Sequence, residues 1–591
     1  MTPEEAVRDG SEAISREVRL DVDGRTVPAR MGETVAAALT AAGIREFRDT
    51  ARGATRGLFC GMGVCQDCLI TVDGAANRRA CMTKVAGPHV VRRQTFPGDL
   101  PSCAGGAAPI TVGDLPVRRP DVLVIGGGAG GLSAAAMAAE AGAGVVLIDE
   151  RPRPGGQYYK QPAATRRSTA DIGADAQFDG GRALIARARQ AGVEILAGAE
   201  AWGAFAPMTI GVTTPTGSTL FQPRRLIVAT GAYERGLPVP GWTLPGVMTT
   251  GAAQTLLKTD GVLPGRRVLV CGNGPLNLQV ALELARAGAE IVAVAELADR
   301  PGLSRAGALW RMLRNAPDLA WQGLRMIGEL RQRGIPLLHG HGLARVQAQA
   351  AVLVATLGKR AQHGLNPSRP FTVDIVLIGY GFMPSNEVLL ALGCRHDFDP
   401  ARGHLVTQRG DQCQTSIPGV YAVGDCCGLG GANAAREEGL IAGAAAARAL
   451  GRTLSADASR ALAAAHVRLS RHRRFQAGLW QLFAAPRLHA ELAQPDTIIC
   501  RCEEVTLGAI DAALADGWPA IGEVKRRTRL GMGRCQGRYC ASVLAAILAE
   551  RRARPIDERA FFAPRAPIKP VAIRDLVRAA PAADDRQATS S

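Results

Sequence analysis

The chain has 591 residues, of which 47% are hydrophobic, so it can bury several cores and is too long for a single domain. Its 70 glycines and 4% aromatic content suit α/β units with tight strand-to-helix turns and argue against a fibrous or disordered chain. A formal charge of +17 allows a nucleic-acid partner, but no helix-turn-helix, zinc-finger or aromatic RNA-binding pattern accompanies the charge, and we therefore predict none.

The N-terminal segment and the cysteine content bear on where the chain works. Residues 1–17 are polar and lack the apolar core and cleavage site of a signal peptide. No run of about 18 apolar residues occurs, so the sequence predicts no membrane span. These features predict a cytoplasmic protein, in which 14 cysteines indicate metal or redox sites rather than structural disulfides.

The first predicted elements are short strands and one helix, followed by a cysteine-rich loop. The spacing Cys60-x4-Cys65-x2-Cys68-x12-Cys81 is typical of a plant-type ferredoxin, in which three ligands come from one loop. The small residues Gly61 and Gly63 allow such a loop to wrap a cluster. Four thiolates also suit zinc. The spacing favours a 2Fe–2S cluster in a domain with the β-grasp fold.

A first dinucleotide-binding unit begins at residue 121. An apolar strand runs into Gly126, Gly128 and Gly131 in the order G-x-G-x-x-G, and a helix pattern follows. The next strand ends in Asp149, where an acid can bind the adenosine ribose. Strand, turn, helix, strand and acid therefore occur in the order that predicts a bound dinucleotide.

Two later strands indicate which dinucleotide is bound. One ends in Ala229-Thr230-Gly231, and the other runs from Thr415 to Gly424-Asp425. Together with the first turn they resemble the signatures of two-dinucleotide-domain flavoproteins of the glutathione-reductase type. The resemblance implies FAD, with Asp425 hydrogen-bonded to its ribityl and pyrophosphate part. It also places Gly156, Gln157, Gly231 and Gly424 beside the cofactor.

A second glycine-rich unit lies between the FAD motifs. Gly272 and Gly274 follow an apolar strand, but Asn277 replaces the third glycine. By residue count Ala295 stands where the acid belongs, and Glu296 comes one residue later. The site is predicted to bind NAD(P) or another adenine nucleotide acting as a regulator. The alternative is a relic of a nucleotide-binding unit that no longer binds a nucleotide.

Thiol–disulfide chemistry beside the flavin is disfavoured. Gly155-Gly156-Gln157-Tyr158-Tyr159 occupies the place of a redox CxxxxC or CxxC motif and contains no cysteine. Cys426 and Cys427 are adjacent, which is poor geometry for a disulfide. Six cysteines show no ligand spacing and are predicted to be small buried hydrophobes: Cys103, Cys271, Cys394, Cys413, Cys426 and Cys427.

A second set of four cysteines lies near the C-terminus, with Cys500-x-Cys502 followed by Cys535-x4-Cys540. Two such pairs suit zinc or a 2Fe–2S cluster. The segment 528–540 resembles the bacterioferritin-associated-ferredoxin-like domain of amine-dehydrogenase flavoprotein subunits, which implies the cluster. The second pair departs from that domain's usual CxxC by its four intervening residues.

The order of these motifs, with segments 229–235 (ATGAYER) and 240–248 (PGWTLPGVM), resembles a family over about 500 residues. This family comprises the α (A) subunits of heteromeric FAD-dependent amine dehydrogenases, including the opine oxidase, hydrogen cyanide synthase, hydroxyproline dehydrogenase and sarcosine oxidase types. The likeness implies an oxidoreductase subunit that carries electrons through FAD and iron–sulfur clusters. A partner β subunit of the D-amino-acid-oxidase type, with its own FAD, is then expected to oxidise a small amine.

The predicted fold is α/β and multidomain: a two-dinucleotide-domain flavoprotein with a β-grasp 2Fe–2S domain before it and a ferredoxin-like domain after it. No residue is predicted to act as acid or base. A stand-alone NAD(P)H-dependent reductase is the alternative function. In chain order the predicted units are a tail (1–17), the 2Fe–2S domain (18–105), a linker (106–119), the first segment of the FAD domain (120–258), the nested NAD(P)-type domain (259–360), the second segment of the FAD domain (361–455), a helical connector (456–495), the second cluster domain (496–556) and a tail (557–591).

Overall fold

A computed structural model gives the fold. It describes residues 17–95, 115–163, 176–361, 364–515, 517, 520–552 and 555–576. Nearly all of the predicted N-terminal tail, most of the predicted linker, Cys103 and the end of the C-terminal tail lie outside these residues. No helix in the described ranges has both the length and the apolar character needed to cross a membrane.

The N-terminal domain is a mixed five-stranded sheet with one helix packed on it. Its first and last strands, Glu17–Val22 and Val90–Arg93, pair in parallel, as a β-grasp domain requires. The helix Val35–Ala41 begins at Thr34, whose hydroxyl accepts a hydrogen bond from the Ala37 amide. In sheet order the strands are Arg25–Arg30, Glu17–Val22, Val90–Arg93, Leu69–Val72 and Ala75–Arg79, and a separate short pair is Arg48–Asp49 with Thr55–Arg56.

The predicted FAD domain contains a parallel five-stranded sheet. Its helix Ala129–Glu140 packs against Ala432–Arg448, and Gly439 allows the close approach, since a Cβ there would lie 2.2 Å from the Gly130 carbonyl oxygen. In sheet order the strands are Glu194–Ala197, Val145–Asp149, Val122–Ile125, Arg225–Val228 and Val420–Ala422, and the remaining helices are Ala176–Gln190 and the 3-10 turn Gly424–Cys427. An accessory sheet contains Glu200–Phe205, Thr209–Thr214, Gly217–Phe221 and Val117–Arg118.

The nested unit has its own parallel five-stranded sheet. This sheet includes Val247–Thr249 and Ile375–Gly379, two strands from outside the predicted range 259–360. The other three strands are Arg267–Gly272, Glu290–Glu296 and Leu337–His339. An antiparallel meander of His341–Gln349, Val352–Arg360 and Leu365–Val373 follows. The helices are Thr250–Thr255, Pro275–Arg286, Ala306–Asn315 and Pro317–Gln332. The first continues as the π-helical turn Leu256–Asp260, and the 3-10 turn Leu303–Arg305 directly precedes the third.

Short elements join the two dinucleotide units. Ala232–Glu234 pairs with Phe382–Pro384, and His396–Asp399 pairs with His404–Thr407. A short helix, Glu387–Ala391, lies between these two pairs in the chain.

The C-terminal region starts with a long helix, Ala456–Leu482, which packs on Ala306–Asn315 and Ala432–Arg448. A small domain follows, with strands Ile498–Cys500 and Val505–Thr506 and helices Leu507–Ala515, Ile521–Thr528 and Ala541–Arg552. The described residues of the predicted tail, with short helices Glu558–Ala560 and Ile573–Leu576, are packed on the protein. Ile568 is buried, and its amide donates to the Trp202 carbonyl oxygen at 2.7 Å.

Candidate functional site

The first glycine-rich turn connects strand Val122–Ile125 to helix Ala129–Glu140. Gly126 has φ +107°, and a Cβ at this position would lie 2.4 Å from the Ala229 carbonyl oxygen. A Cβ at Gly131 would lie 1.8 Å from the Gly126 carbonyl oxygen, so only glycine lets the helix pack on the strand. These close approaches are compatible with the tight-turn and helix-packing roles predicted for the two glycines.

The space in front of this turn suits a pyrophosphate. A Cβ at Gly128 would contact only the Gly156 Cα, at 3.9 Å. Gly128 is also the N-cap of the helix, and because it has no side chain, the amides of the first helical turn receive no capping hydrogen bond from it. These amides and the helix dipole attract phosphate oxygens. Gly231, at φ +73°, has no atom within 4 Å of an added Cβ. The helix start therefore offers free amides to a phosphate, and the backbone beside it leaves room at Gly128 and Gly231.

Asp149 lies at the end of the neighbouring strand, beside the turn. Its carboxylate accepts from the Gly127 amide at 2.6 Å and the Arg151 amide at 2.8 Å. Burial raises the pKa of Asp149 to about 6, because the charged form is poorly solvated there. Its loop continues to Gly155, whose amide donates to the Gly127 carbonyl oxygen, and brings Gly156 and the half-buried Gln157 to the turn.

Asp425 follows the fifth strand of this sheet. One carboxylate oxygen accepts from the Gly430 and Gly431 amides, both at 2.8 Å, and burial raises the pKa of Asp425. The preceding residue, Gly424, donates its amide to Glu438 at 2.8 Å.

Glu438 was not predicted from the sequence as a member of the site. Burial by itself raises the pKa of Glu438, but Arg409, bound through two hydrogen bonds of 2.8 Å, outweighs burial and lowers it. Glu438 therefore remains a carboxylate that holds the backbone of Gly424. No motif in the sequence points to this role, because Glu438 lies within an Ala-rich helix.

The second glycine-rich turn has the same architecture. Strand Arg267–Gly272 leads to Gly274 at φ +112°, with open space around an added Cβ. Glu296 accepts from the Gly274 amide at 2.9 Å and from the Ala298 amide at 2.9 Å. Burial raises the pKa of Glu296 to about 7.

The sequence-based alignment of the acid in this second unit was one residue out. Strand pairing skips Val292, because Val268 pairs with Ile291 and Leu269 pairs with Ala293. This bulge brings Glu296 opposite Gly272, whereas Ala295 pairs with Cys271. Glu296, not Ala295, therefore occupies the position that corresponds to Asp149.

Asn277, at the third glycine position, is buried, and both its side-chain nitrogen and its side-chain oxygen form hydrogen bonds. Its amide nitrogen donates to the Gly379 carbonyl oxygen at 2.9 Å, and its oxygen accepts from the Thr250 hydroxyl at 2.9 Å. Asn273 donates to the Phe483 carbonyl oxygen at 3.0 Å, while its side-chain oxygen is buried without a partner among the described residues. An unpartnered buried oxygen beside an open turn leaves an acceptor for a ligand.

The N-terminal cysteines meet in two thiol pairs. Cys60 contacts Cys65, and Cys68 contacts Cys81. Cys60 Sγ accepts from the Met62 amide at 3.5 Å and the Cys65 amide at 3.4 Å. Burial alone raises the pKa of Cys60, but these donors and the Cys65 thiol outweigh it and lower the pKa to about 6. Two pairs of sulfur ligands fit a two-iron cluster, in which each iron takes two thiolates.

The C-terminal cysteines also contact one another. Cys502 Sγ lies 3.2 Å from Cys535 Sγ, and Cys500 contacts both Cys502 and Cys540. A Cβ at Gly533 would lie 2.7 Å from the Cys502 Cβ, so a larger residue would crowd this loop. In the described ranges no three His, Cys, Asp or Glu side chains converge on a single ion position.

A cavity of about 230 Å³ lies between the two predicted cofactor regions. Cys81, from the N-terminal set, and Gly156, from the predicted FAD loop, share its wall. Lys160 also lines it, and burial lowers the pKa of Lys160 to about 7. The sequence does not reveal this cavity, because its wall combines three separate regions of the chain.

Of the cysteines outside the two sets, those that the structure describes form no disulfide. Cys271, Cys394, Cys413, Cys426 and Cys427 are free and buried. The adjacent thiols of Cys426 and Cys427 lie 3.7 Å apart.

Comparisons with known proteins agree with this organisation. Residues 120–449 match the family model "Pyridine nucleotide-disulphide oxidoreductase". Residues 15–96 match "2Fe-2S iron-sulfur cluster binding domain", and residues 495–580 match "Sarcosine oxidase A3 domain".

Two relatives align over most of their length. The A subunit of opine oxidase from Rhizobium meliloti is 34% identical over 475 residues, which are 77% of this chain and 98% of that protein. The HcnB subunit of hydrogen cyanide synthase from Pseudomonas aeruginosa is 33% identical over 460 residues, 76% of this chain and 96% of that protein. The crystal structure of L-proline dehydrogenase from P. horikoshii has the same fold, with a TM-score of 0.68, 20% identity and coverage of 96% of this chain and 99% of that one.

Proposed function

The chain belongs to the pyridine nucleotide-disulphide oxidoreductase family, within the group of the opine oxidase A and related subunits, and we propose that it is the electron-transfer subunit of a heteromeric amine or amino-acid dehydrogenase. It is an oxidoreductase with an FAD-type domain and a 2Fe–2S domain. The amines proposed are of the opine, hydroxyproline or sarcosine kind, and the names of the relatives support the opine and sarcosine kinds.

One observation carries this proposal: Cys81, a proposed cluster ligand, and Gly156, a proposed FAD-binding residue, line the same cavity. FAD, when bound, exchanges both electron pairs and single electrons, whereas iron–sulfur clusters exchange single electrons. The residues proposed to hold FAD are Gly126, Gly128, Gly131, Asp149, Gly156, Gln157, Gly231, Gly424 and Asp425. Glu438 positions Gly424.

The cluster ligands are proposed from the thiol pairs. Cys60, Cys65, Cys68 and Cys81 would bind the first 2Fe–2S cluster. Cys500, Cys502, Cys535 and Cys540 would bind a second one in a domain of the bacterioferritin-associated-ferredoxin-like type. Their short sulfur–sulfur contacts support this assignment.

The nested site is proposed to take NAD(H) or another adenine nucleotide on Gly272, Gly274 and Glu296. An acidic side chain at the ribose position is the arrangement that hydrogen-bonds the ribose 2′-hydroxyl of NAD. This geometry also supports a second candidate function, a stand-alone NAD(P)H-dependent reductase.

The proposed partner is an oxidase-type β subunit with its own FAD, which oxidises the amine. Large apolar side chains remain exposed on helices Ala306–Asn315 and Pro317–Gln332, where Trp310 is 65% and Trp321 55% exposed. Arginines flank them in the sequence, so we expect a partner surface with an apolar centre and acidic rim. Thiolate ligands persist in a reducing compartment, which supports a cytoplasmic location.

The test is a comparison of the chain alone with the chain plus its β subunit. Opines, prolines, sarcosine and glycine are supplied with a dye acceptor, and reduction of the dye is followed. We expect turnover only with the partner present. Turnover by the chain alone on any of these amines would contradict the assignment, and rapid bleaching of its flavin by NADH would favour the reductase.

A further inference from the structure

The two cysteine sets are joined by a buried ion pair. Asp67 lies between the ligands Cys65 and Cys68, and Arg501 lies between Cys500 and Cys502. Arg501 Nε donates to Asp67 Oδ2 at 2.7 Å, and the two side chains are only 4% and 1% exposed. Residues 434 positions apart in the chain thus connect the two loops.

Aromatic rings fill the remaining space between the two sets. The Arg501 guanidinium lies 3.7 Å from the centroid of Phe59, the residue before Cys60. Phe59 in turn packs edge-on against Tyr539, the residue before Cys540, with ring centroids 5.4 Å apart. Phe59, Tyr539 and Cys60 belong to one buried cluster, so protein rather than water fills the space between them.

The charges around this contact are unusual for a purely structural interface. Arg48 also pairs with Asp67, at 3.2 Å, and the Arg56–Glu504 pair, at 3.3 Å, lies close by. Burying an ion pair is costly, and apolar residues of similar volume often stabilise such an interface as well or better. Two buried charges beside eight cysteine ligands therefore suggest an electrostatic role at the clusters.

We propose that Asp67, Arg501, Phe59 and Tyr539 form a bridge through which an electron would pass between clusters bound by the two cysteine sets, and that the Asp67–Arg501 pair would balance the charge felt by both clusters. The exchange moves one electron from one cluster to the other, and no bond forms or breaks. The idea deepens the proposed function and rests on it, because it requires both clusters. The chain's electron path then includes Phe59, Asp67, Arg501 and Tyr539 as bridging residues.

The first test uses the full-length wild-type protein. Iron and sulfide are measured, with about four of each per chain expected for two 2Fe–2S clusters. The fully reduced protein is then examined by EPR, where two neighbouring paramagnetic clusters split or broaden each other's signals. Four irons without such coupling would overturn only the bridge. About two irons would overturn the second cluster as well, so the two failures are distinguishable.

The second test uses charge variants and EPR-monitored redox titration. Asp67→Asn leaves Arg501 uncompensated, and we expect it to raise the reduction potential of both clusters. Arg501→Gln leaves Asp67 with fewer cations, and we expect it to lower the potential of the N-terminal cluster. Opposite shifts identify charge balance, because loss of packing alone would not depend on the sign of the charge removed.

Arg529→Gln is the matched control. Arg529 pairs with Glu503, the residue after Cys502, at 2.8 Å, but its side chain is 68% exposed. Solvent screens this pair, so the variant should keep wild-type potentials and coupling. Shifts of the same sign in Asp67→Asn and Arg501→Gln, or shifts no larger than those of Arg529→Gln, would overturn the proposed role of the pair.

Discussion

At the scale of single residues, Asp425 is the sharpest test of the FAD site. Its carboxylate accepts from the amides of Gly430 and Gly431, directly before helix Ala432–Arg448, and the resemblance to flavoproteins assigns it to the proposed cofactor. We expect Asp425→Ala to lose most of its flavin absorbance after purification, because both the loop and a hydrogen-bond acceptor are lost. Circular dichroism verifies the fold. The exposed Asp411→Ala is the control, and full FAD content in Asp425→Ala would contradict the placement.

The residues of the site differ in how far the sequence reveals them. Cysteine spacing predicts both ligand sets, because cluster ligands within one loop have a characteristic separation in the sequence. The contacts between the thiols are compatible with that prediction. Asp67 and Arg501 could not be paired in advance, because their contact depends on how distant domains pack. A charged residue between ligand cysteines is the only local signal that either residue offers.

At the scale of elements, Asn277 connects three segments of the nested unit. Its side chain bridges strand Ile375–Gly379 and helix Thr250–Thr255 from its own helix. Asn277→Ala leaves the buried Thr250 hydroxyl unpaired and removes one of the two hydrogen bonds to the Gly379 carbonyl, which still accepts from the Asn273 amide, so we expect a loss of about 1–3 kcal/mol of unfolding free energy. Urea denaturation measures it. Asn315→Ala, at a helix end where the side chain donates only to the Arg311 carbonyl, should cost much less, and equal losses would argue against this role.

The ribbon His396–Asp399 with His404–Thr407 gives the protein a predicted acid sensitivity. Burial lowers the pKa of His404 to about 4, and its Nε2 has no hydrogen-bond partner among the described residues. Above pH ~6.5 both folded and unfolded chains hold neutral histidine there. Between about pH 6.5 and pH 4 only the unfolded chain takes up a proton at this histidine, so the contribution of His404 to folding stability falls by roughly 3 kcal/mol as the pH is lowered.

His404→Gln should flatten this portion of the pH dependence. The measurement is the urea midpoint of the variant and wild type at several pH values. His466, exposed on the long helix, is the control position, and His466→Gln should keep the wild-type slope. An unchanged slope in His404→Gln would show that other groups cause the acid sensitivity.

Elements also show where counting residues is insufficient. Strand, turn and helix of both dinucleotide units follow from hydrophobic pattern and glycine spacing. The bulge at Val292 does not, because it depends on pairing between Arg267–Gly272 and Glu290–Glu296 rather than on either strand alone. The membership of Val247–Thr249 and Ile375–Gly379 in the nested sheet is hidden for the same reason.

At the scale of the whole molecule, the exposed tryptophans make the partner surface testable. We expect Trp310→Ser combined with Trp321→Ser to weaken binding of the β subunit by about tenfold or more, since exposed aromatics are common anchors of interfaces. Analytical ultracentrifugation of the mixed subunits measures it. Val467→Ser, which removes an apolar side chain that is 57% exposed on another helix, is the control. Unchanged affinity in the double variant would place the interface elsewhere.

The contact between Asp67 and Arg501 also has a consequence for biosynthesis. At typical rates of translation, the 434 residues between them take roughly 20–90 s to make. During that interval the N-terminal cysteine loop has emerged from the ribosome without its C-terminal cover. An iron–sulfur delivery protein therefore has access to Cys60, Cys65 and Cys68 while the chain is still nascent. Release of the finished chain closes this access, so the first cluster is best inserted during translation.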